Sequence, residues 1–391
     1  MRLSRSENLL LIAGILAVAV NLRPALASVG PLIDDIRLTT GLSNSTLGLL
    51  TTLPLIAFGV ISTLTPLLTR RFGIGGTLLG AMALLATGAA MRAIASVPAL
   101  YLGTLLIGIA IALGNVLLPS LAKRNFAAHS GWITSLYSGA MGLGASLAAG
   151  LSVPLADHFQ LGWRGALGFW AIPAVLACLV WLPQLSRLKR SEPKRSFQKA
   201  LHDLGRSALA WKVALFMGLQ SLTFYVVLAW LPAILIDRAH DAEFSGWMLS
   251  LSQATGIAGS LIVPVLAGKQ TDQRAVVLTL GVLELIGLAG LLFAPESWIA
   301  LWVSLIGFVL GGSFGLALLF LVVRSREAET AVELSGMAQS IGYLVAATGP
   351  IVFGSLFDLT GGWTVSLVFL FAVSLLKLTV GLGAGAPATV D

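Results

Sequence analysis

The amino-acid sequence predicts an all-α membrane protein of twelve transmembrane helices, arranged as two pseudo-symmetric six-helix bundles. Three observations predict it. Of 391 residues, 57% are hydrophobic and only 10% charged, and the mean hydropathy is +0.93, whereas a soluble domain carries roughly 25% charge. Apolar stretches of about 20 residues, the length that crosses a bilayer as a helix, recur twelve times, and one long polar segment divides them six and six. The halves also repeat each other. Gly48, Ser62, Pro66 and Leu68 recur as Gly246, Ser260, Pro264 and Leu266; Leu106-Ile107-Gly108 recurs as Leu305-Ile306-Gly307; Gly162-Trp163 as Gly362-Trp363; Pro31 as Pro232, in sequence order at offsets of 198 to 201.

The spans are read at 9–32, 46–67, 75–95, 99–121, 132–155, 164–183, 212–236, 245–267, 275–294, 298–322, 332–356 and 363–382. Span one carries Asn21-Leu22-Arg23-Pro24 in an otherwise apolar run. A guanidinium stays charged at any relevant pH, and placing one at a helix centre costs about 2.5–3.5 kcal/mol on insertion scales. Arg23 therefore marks a functional site, with an anion or polar solute as its natural partner; the alternative is a structural arginine bound to carbonyls or to another helix. It lies about 21 Å along the span at 1.5 Å per residue, and its neighbours Ala19, Ala27 and Gly30 are small. Pro24 removes a backbone hydrogen bond, so a distortion there would bring Asn21 beside Arg23. The basic start and Ala25-Leu26-Ala27 imitate a secretory signal with its cleavage site, but Arg23 sits badly in such a region and the apolar run continues to Leu32.

Spans two and three are joined by Pro66-Leu67-Leu68-Thr69-Arg70-Arg71-Phe72-Gly73. Span four brings Asn115, whose amide both donates and accepts; an interhelical bond is the equally weighted alternative. Span five holds Tyr137 and Ser138, weaker binding candidates, and the glycine-rich Gly139–Gly144. With Gly311-Gly312 of span ten, this stretch suits close helix packing; neither has the strand before it and the Lys-Ser or Lys-Thr after it that a phosphate loop needs. Residues 184–211 form a basic linker with Arg187, Lys189, Arg190, Lys194, Arg195, Lys199 and Arg206. It divides an N-terminal bundle, 1–183, from a C-terminal one, 212–391. In the second half, Gln220 and Tyr225 of span seven and Gln339 and Tyr343 of span eleven form the corresponding polar set; Gln339 and Tyr343 are four apart and share a face. Gln253 is a weaker candidate, and Gly349-Pro350 a kink. Glu284, in span nine, is the one acid well inside a span; as a proton-coupling carboxylate or as a hydrogen-bonded structural acid it has two readings. Lys377 in span twelve is expected to snorkel to the surface, and Trp230, Trp247, Trp298 and Trp363 to form an interfacial belt.

Lysine and arginine fix the orientation. With the N-terminus inside, one side collects Arg2, Arg5, Arg70, Arg71, Lys123, Arg124, the linker, Lys269, Arg274, Arg324 and Arg326; the other keeps Arg37, Arg92, Arg164 and Arg238 among Asp34, Asp35, Asp157, Asp237, Asp241, Glu243, Glu296 and Asp358. Both termini are expected in the cytoplasm. The net charge of +7 follows from this topology and calls for no nucleic acid. Cys178 is the single cysteine, the four histidines (His129, His158, His202, His240) fall in loops, and no metal spacing, ATP motif or catalytic triad occurs.

Duplicated six-helix units related about the membrane normal are the architecture of major facilitator transporters. The chain resembles that superfamily over its whole length, and more narrowly the cyanate permease and 2-nitroimidazole transporter family. The resemblance rests on Asn21-Leu22-Arg23-Pro24 with Ser28-Val29-Gly30-Pro31-Leu32, on Thr51-Thr52-Leu53-Pro54, on Gly114-Asn115-Val116-Leu117-Leu118-Pro119 with Lys123-Arg124, on Trp230-Leu231-Pro232, and on Leu334-Ser335-Gly336-Met337-Ala338-Gln339-Ser340 with Gly342-Tyr343. It implies a cavity lined by spans one, four, seven and ten, with the solute held between the bundles and exposed to each side in turn. Substrate-binding candidates are Arg23, Asn21, Asn115, Gln220, Tyr225, Gln339 and Tyr343. The superfamily's loop after span two reads Gly-x-Leu-Ala-Asp-Arg-x-Gly. Here Arg71 and Gly73 remain, while Arg70 replaces the acid that helps hold the cytoplasmic gate shut, so Arg70, Arg71 and Gly73 are the gating candidates. The expectation is a non-enzymatic secondary transporter for a small polar or anionic solute, cyanate- or nitroimidazole-like. It would be a monomer among lipid in the bacterial inner membrane, without cofactor, the coupling ion left open. A drug exporter with an aromatic site and a non-transporting receptor are the alternatives.

Overall fold

The computed structural model describes residues 5–42, 44–187, 197–238, 242–293 and 295–390. Arg2, Lys189, Arg190, Lys194, Arg195, His240 and Asp241 lie outside the described residues, as do the side chains of Arg5, Asp34, Glu243, Glu296 and Asp358. Span one is not one helix. It runs as α1 (Arg5–Asn21), a two-residue turn, α2 (Pro24–Ala27) and a 3-10 turn at Gly30–Leu32, and then leads into α3 (Ile33–Thr40). Spans two and three are continuous as α4 (Asn44–Arg92). Within it Gly73 adopts φ 71° and ψ 167°, a region open only to glycine, and this residue turns the chain between the two crossings. Span four is α5 (Val97–Phe126), span five α6 (Ser130–Asp157), and span six is split into α7 (Gly162–Phe169) and α8 (Ala171–Trp181). Within the linker come α9 (Gln184–Arg187) and α10 (Phe197–Arg206); His202 therefore sits on a short helix rather than in the expected loop. Spans seven to twelve are α11 (Ala208–Asp237), α12 (Ala242–Gly268), α13 (Arg274–Phe293), α14 (Ile299–Val323), α15 (Ala328–Thr360) and α16 (Trp363–Ala384).

Among the described residues, ten helical runs are long and apolar enough to cross a membrane. Two of them, Leu53–Arg92 with 40 residues and Val97–Asp157 with 61, have at least twice the ~20 residues one crossing needs and hold two spans each. Large apolar side chains such as Ile56, Leu176, Leu179, Ile351 and Val368 are exposed, as a lipid-facing surface requires.

The chain forms two compact units, Met1–Leu121 with Ala140–Ala200, and Ala122–Gly139 with Leu201–Asp391. The division falls inside α6. In the first unit, the Trp181 side chain is buried against Gly14 and donates to the Gly75 carbonyl at 2.9 Å. A second core gathers Val29, Leu32, Ile36, Leu100 and Trp163, and the Trp163 indole donates to the Thr39 hydroxyl at 2.7 Å. In the second unit, α11 and α15 run side by side, with Gly218 against Gly342, Gly349 against Leu222 and Val226, and Gly354 against Trp230.

The sequence repeat has a counterpart in the packing. A Cβ at Gly108 would lie 2.8 Å from Pro54 Cα and 3.0 Å from Ala57 Cβ. At the equivalent place in the second unit, a Cβ at Gly307 would meet the backbone of Ser252 and the hydroxyl of Thr255. Each glycine lets span four or span ten close onto span two or span eight at matched positions.

Two expectations are corrected here. Trp247 and Trp298 are exposed at 65% and 54%, as belt residues should be, but Trp363 is buried. It stacks on Phe357 with ring centroids 4.1 Å apart, while Trp230 lies 5.5 Å from Trp363 and donates to the Pro350 carbonyl at 3.0 Å. These two indoles form the end of the core because neighbouring helices supply rings to both and an acceptor to Trp230, so ring packing outweighs an interfacial place. Arg324 is likewise not a loop charge. It is buried, donates to the carbonyls of Ala384 at 2.9 Å and Gly385 at 3.0 Å, and bonds the side chain of Gln273. The tail reciprocates, with Val390 N–H donating to the Arg324 carbonyl at 2.7 Å.

Candidate functional site

The break in span one follows from Pro24. A proline has no N–H, so the Val20 carbonyl four residues back loses its helical donor. It points at α6, where a Cβ on Gly144 would lie 2.1 Å from the Val20 oxygen. Leu22 N–H turns back to Ala19 O at 3.1 Å, and the Arg23 carbonyl accepts from Leu26 and Ala27 at 3.1 and 3.0 Å. The helix thus stops, turns through Leu22-Arg23 and restarts. Asn21, the last residue of α1, is buried. Its Nδ2 donates to Ala17 O at 2.8 Å and to Pro173 O of α8 at 3.2 Å, so its donors tie the break to span six. Arg23 is half-buried. Leu22 packs onto α5 at Gly114, where a Cβ would come within 2.5 Å of its Cδ2. The buried Asn115 is the next residue along α5.

In the second unit, Gln220 and Gln339 are buried on α11 and α15. Gln220 Nε2 donates to Met217 O at 3.1 Å and to Ser221 Oγ at 2.7 Å. Among the described residues, neither glutamine's Oε1 has a hydrogen-bond partner. Tyr343 is buried one turn beyond Gln339, beside the Gly218–Gly342 contact, and Tyr225 is half-buried and edge-on to Phe224 at 5.4 Å. Spans seven and eleven therefore bring two unfilled amide acceptors and two phenols to one helix pair.

Lys377 does not snorkel. Its Nζ lies 2.5 Å from Glu284 Oε2, with the two side chains 3% and 2% exposed. Ser374 donates to Glu284 Oε1 at 3.1 Å, and Lys377 reaches Thr223 Oγ1 at 3.5 Å. An ammonium moves to the interface when it has no counter-ion; a carboxylate one helix away offers a cheaper solution than stretching through hydrocarbon. Thr223 in turn donates to Gln220 O at 2.9 Å, so polar contacts run from spans nine and twelve to span seven.

Of the gating candidates, Arg70 is half-buried and Arg71 exposed, with its guanidinium 5.4 Å from the Phe72 ring centroid; Gly73 makes the turn described above. Ser138 was a minor candidate, and Ser135 was not singled out. Pro264 deprives the Ser260 carbonyl of its helical donor, and Ser138 Oγ supplies one at 3.0 Å; Ser135 bonds the next carbonyl, Leu261. Gly131 and Gly268 close the same contact, a Cβ on Gly268 lying 2.6 Å from Gly131 Cα. The i, i+3 spacing of the two serines ahead of a glycine-rich run was the available signal, but nothing local in the sequence names the carbonyls they reach.

A duplicated six-span unit with a broken, arginine-bearing first span and buried amides on spans seven and eleven defines a polytopic protein of the secondary-transporter class. The model of the Major Facilitator Superfamily matches residues 9–350, and the chain belongs to that family. It is 41% identical over 385 residues to the 2-nitroimidazole transporter of Escherichia coli (strain K12), covering 98% of this chain and 97% of that one. It is 31% identical over 366 residues to the cyanate transport protein CynX of the same organism, covering 93% and 94%. The fold superposes on the proton:xylose symporter XylE with a TM-score of 0.77 at 16% identity, over 97% of this chain and 96% of that one.

Proposed function

We propose that this protein is a secondary transporter of the bacterial inner membrane, with both termini cytoplasmic, that moves a small polar or anionic solute of the cyanate or nitroimidazole type by alternating access. The observation that carries the reading is the break at Leu22-Arg23: a charged guanidinium, half-buried, where the helix has been interrupted rather than continued. A broken span lining a cavity is how transporters present charge and backbone to a solute at membrane depth. Arg23 attracts negative charge and Asn115 hydrogen-bonds it. Within the second unit, the Gln220 and Gln339 amides are further hydrogen-bonding candidates, and Tyr225 and Tyr343 offer planar walls. Asn21 holds the break rather than the solute, since both its donors go to carbonyls. The two relatives named for cyanate and 2-nitroimidazole support this solute class. Glu284 is better read as half of a structural ion pair than as a coupling acid, because Lys377 already neutralises it; exchange or uniport then needs no titrating group there.

The test is counterflow in proteoliposomes with labelled 2-nitroimidazole outside and unlabelled compound inside, with and without excess cyanate. Accumulation that cyanate suppresses, and its loss in Arg23→Ala while the protein still inserts and melts as the parent does, is the expected result. Undiminished accumulation in Arg23→Ala refutes the anion site and favours the exporter reading, in which the tyrosines carry recognition.

A further inference from the structure

We propose that Arg92 is a positioning residue for the solute site: it sets the geometry of the break in span one and, through it, the place of the Arg23 guanidinium. In an unbroken helix the Ala25 carbonyl would accept from Val29 N–H. Here Val29 N–H goes to Leu26 O at 3.3 Å and Ser28 N–H to Pro24 O at 2.9 Å, which leaves the Ala25 oxygen without a donor from its own segment. Arg92 supplies it. Its Nη1 lies 2.6 Å from Ala25 O, reaching from the end of span three across 67 residues of sequence. A carbonyl left unpaired in hydrocarbon is costly, so this bond decides where α2 sits.

The guanidinium is committed to that one contact. Arg92 is 1% exposed, and its Nε and Nη2 have no hydrogen-bond partner among the described residues. Its stem lies along α5 at Gly103, where a Cβ would meet Arg92 Cγ at 3.0 Å, so span four leaves the room it needs. The other side of the break is held by Asn21, through Pro173 O, and by the Val20 carbonyl at Gly144. Arg23 stands between these two anchors. Its carbonyl is bonded to the N–H groups of Leu26 and Ala27, so α2 and Arg23 move as one piece. A shift of Ala25 is a shift of Arg23.

The inference rests on the reading of Arg23 as a solute group, and the experiment separates the two. The full chain is placed in nanodiscs with Arg92→Met, which keeps an unbranched stem but no donor, or Arg92→Lys, which keeps one donor and the charge. Hydrogen exchange is followed in peptides spanning 22–32 and 208–237, and counterflow kinetics in proteoliposomes. Arg92→Met is expected to speed exchange in 22–32 by about tenfold or more, the effect of one charged hydrogen bond on a local opening, with 208–237 unchanged. KM should rise by about fivefold at little cost in maximal rate, as misplacement of a binding group does, and Arg92→Lys should recover part of both. Unchanged exchange in 22–32 overturns the proposal, as does a lysine variant no better than methionine. So does faster exchange throughout the chain, which marks a merely structural role. If Arg92→Met does not insert, Arg92→Gln is read by the same criteria. If Arg23→Ala transports normally, the solute reading fails, while the exchange arm still decides whether Arg92 sets the break.

Discussion

Lys377→Met should destabilise the second unit severely, whereas Lys377→Met combined with Glu284→Leu should not. The pair is 2.5 Å apart and almost fully enclosed, so the methionine variant leaves a carboxylate with only the Ser374 hydroxyl for company. Breaking a buried pair from one side costs about 3–5 kcal/mol, while replacing both partners with apolar groups of like volume is commonly neutral or better. Each single variant is therefore expected to lose about 3 kcal/mol or more, and the double variant to return to within about 1 kcal/mol of the parent. The assay is reversible unfolding of the purified chain in mixed micelles, arranged as a double-mutant cycle. Thr223 should register the same event, because Lys377 reaches its hydroxyl from span twelve. Single variants as stable as the parent would show that the ammonium is not buried against the carboxylate. A double variant as damaged as the singles would show that the site needs charge for a reason other than mutual neutralisation. A stable double variant that no longer performs counterflow would return Glu284 to the list of coupling groups.

Two further outcomes are expected. Gly73→Ala puts a side chain at φ 71° and ψ 167° and should cost about 1–3 kcal/mol of strain, read as an earlier melt, with Arg71→Ala close to neutral as an exposed control; equal effects would refute the turn argument. Ser135→Ala with Ser138→Ala removes the donors to the Leu261 and Ser260 carbonyls; at roughly 0.6 kcal/mol per membrane hydrogen bond the melt should barely move, but deuterium labelling of the peptide spanning 130–139 should quicken. Unaltered labelling would mean that the serines do not hold this contact.

What the sequence disclosed and what it withheld divide along a physical line. Span number and the duplication are properties of hydropathy and period, which the bilayer imposes on every crossing, and they could be read residue by residue. The break at Pro24 was equally legible, because proline acts on its own backbone. Interactions across helices were not. Lys377 and Glu284 are 93 residues apart and each was treated alone, so the lysine was sent to the surface and the acid was left with two readings. Trp363 was assigned to an interface by its place at a span end, when Phe357 and Trp230 had already claimed it. Arg92 was counted only as an outward-side charge, since nothing within a turn of it in sequence reveals an unpaired carbonyl on span one.

The same unpaired carbonyl explains two of the places where polar contacts collect in this protein, beside Pro24 and beside Pro264. Each proline inside a span strips a donor from the oxygen four residues before it, and without water that oxygen must be served by another helix or lie against bare backbone. Val20 O lies against Gly144; Ser260 O takes the Ser138 hydroxyl. The distortion then passes along the chain, as at Ala25, whose oxygen loses its donor one residue beyond Pro24 and takes it from Arg92. Such contacts are held by one or two hydrogen bonds rather than by a run of packed apolar side chains, so they are cheap to exchange for others. A transporter has to move some helices while leaving the rest packed. The proline-loosened turns beside Arg23 and Pro264 are therefore the places where a helix contact is exchanged at least cost, whereas the cores around Trp181 and Trp363 combine hydrogen bonds with large packed side chains and resist it.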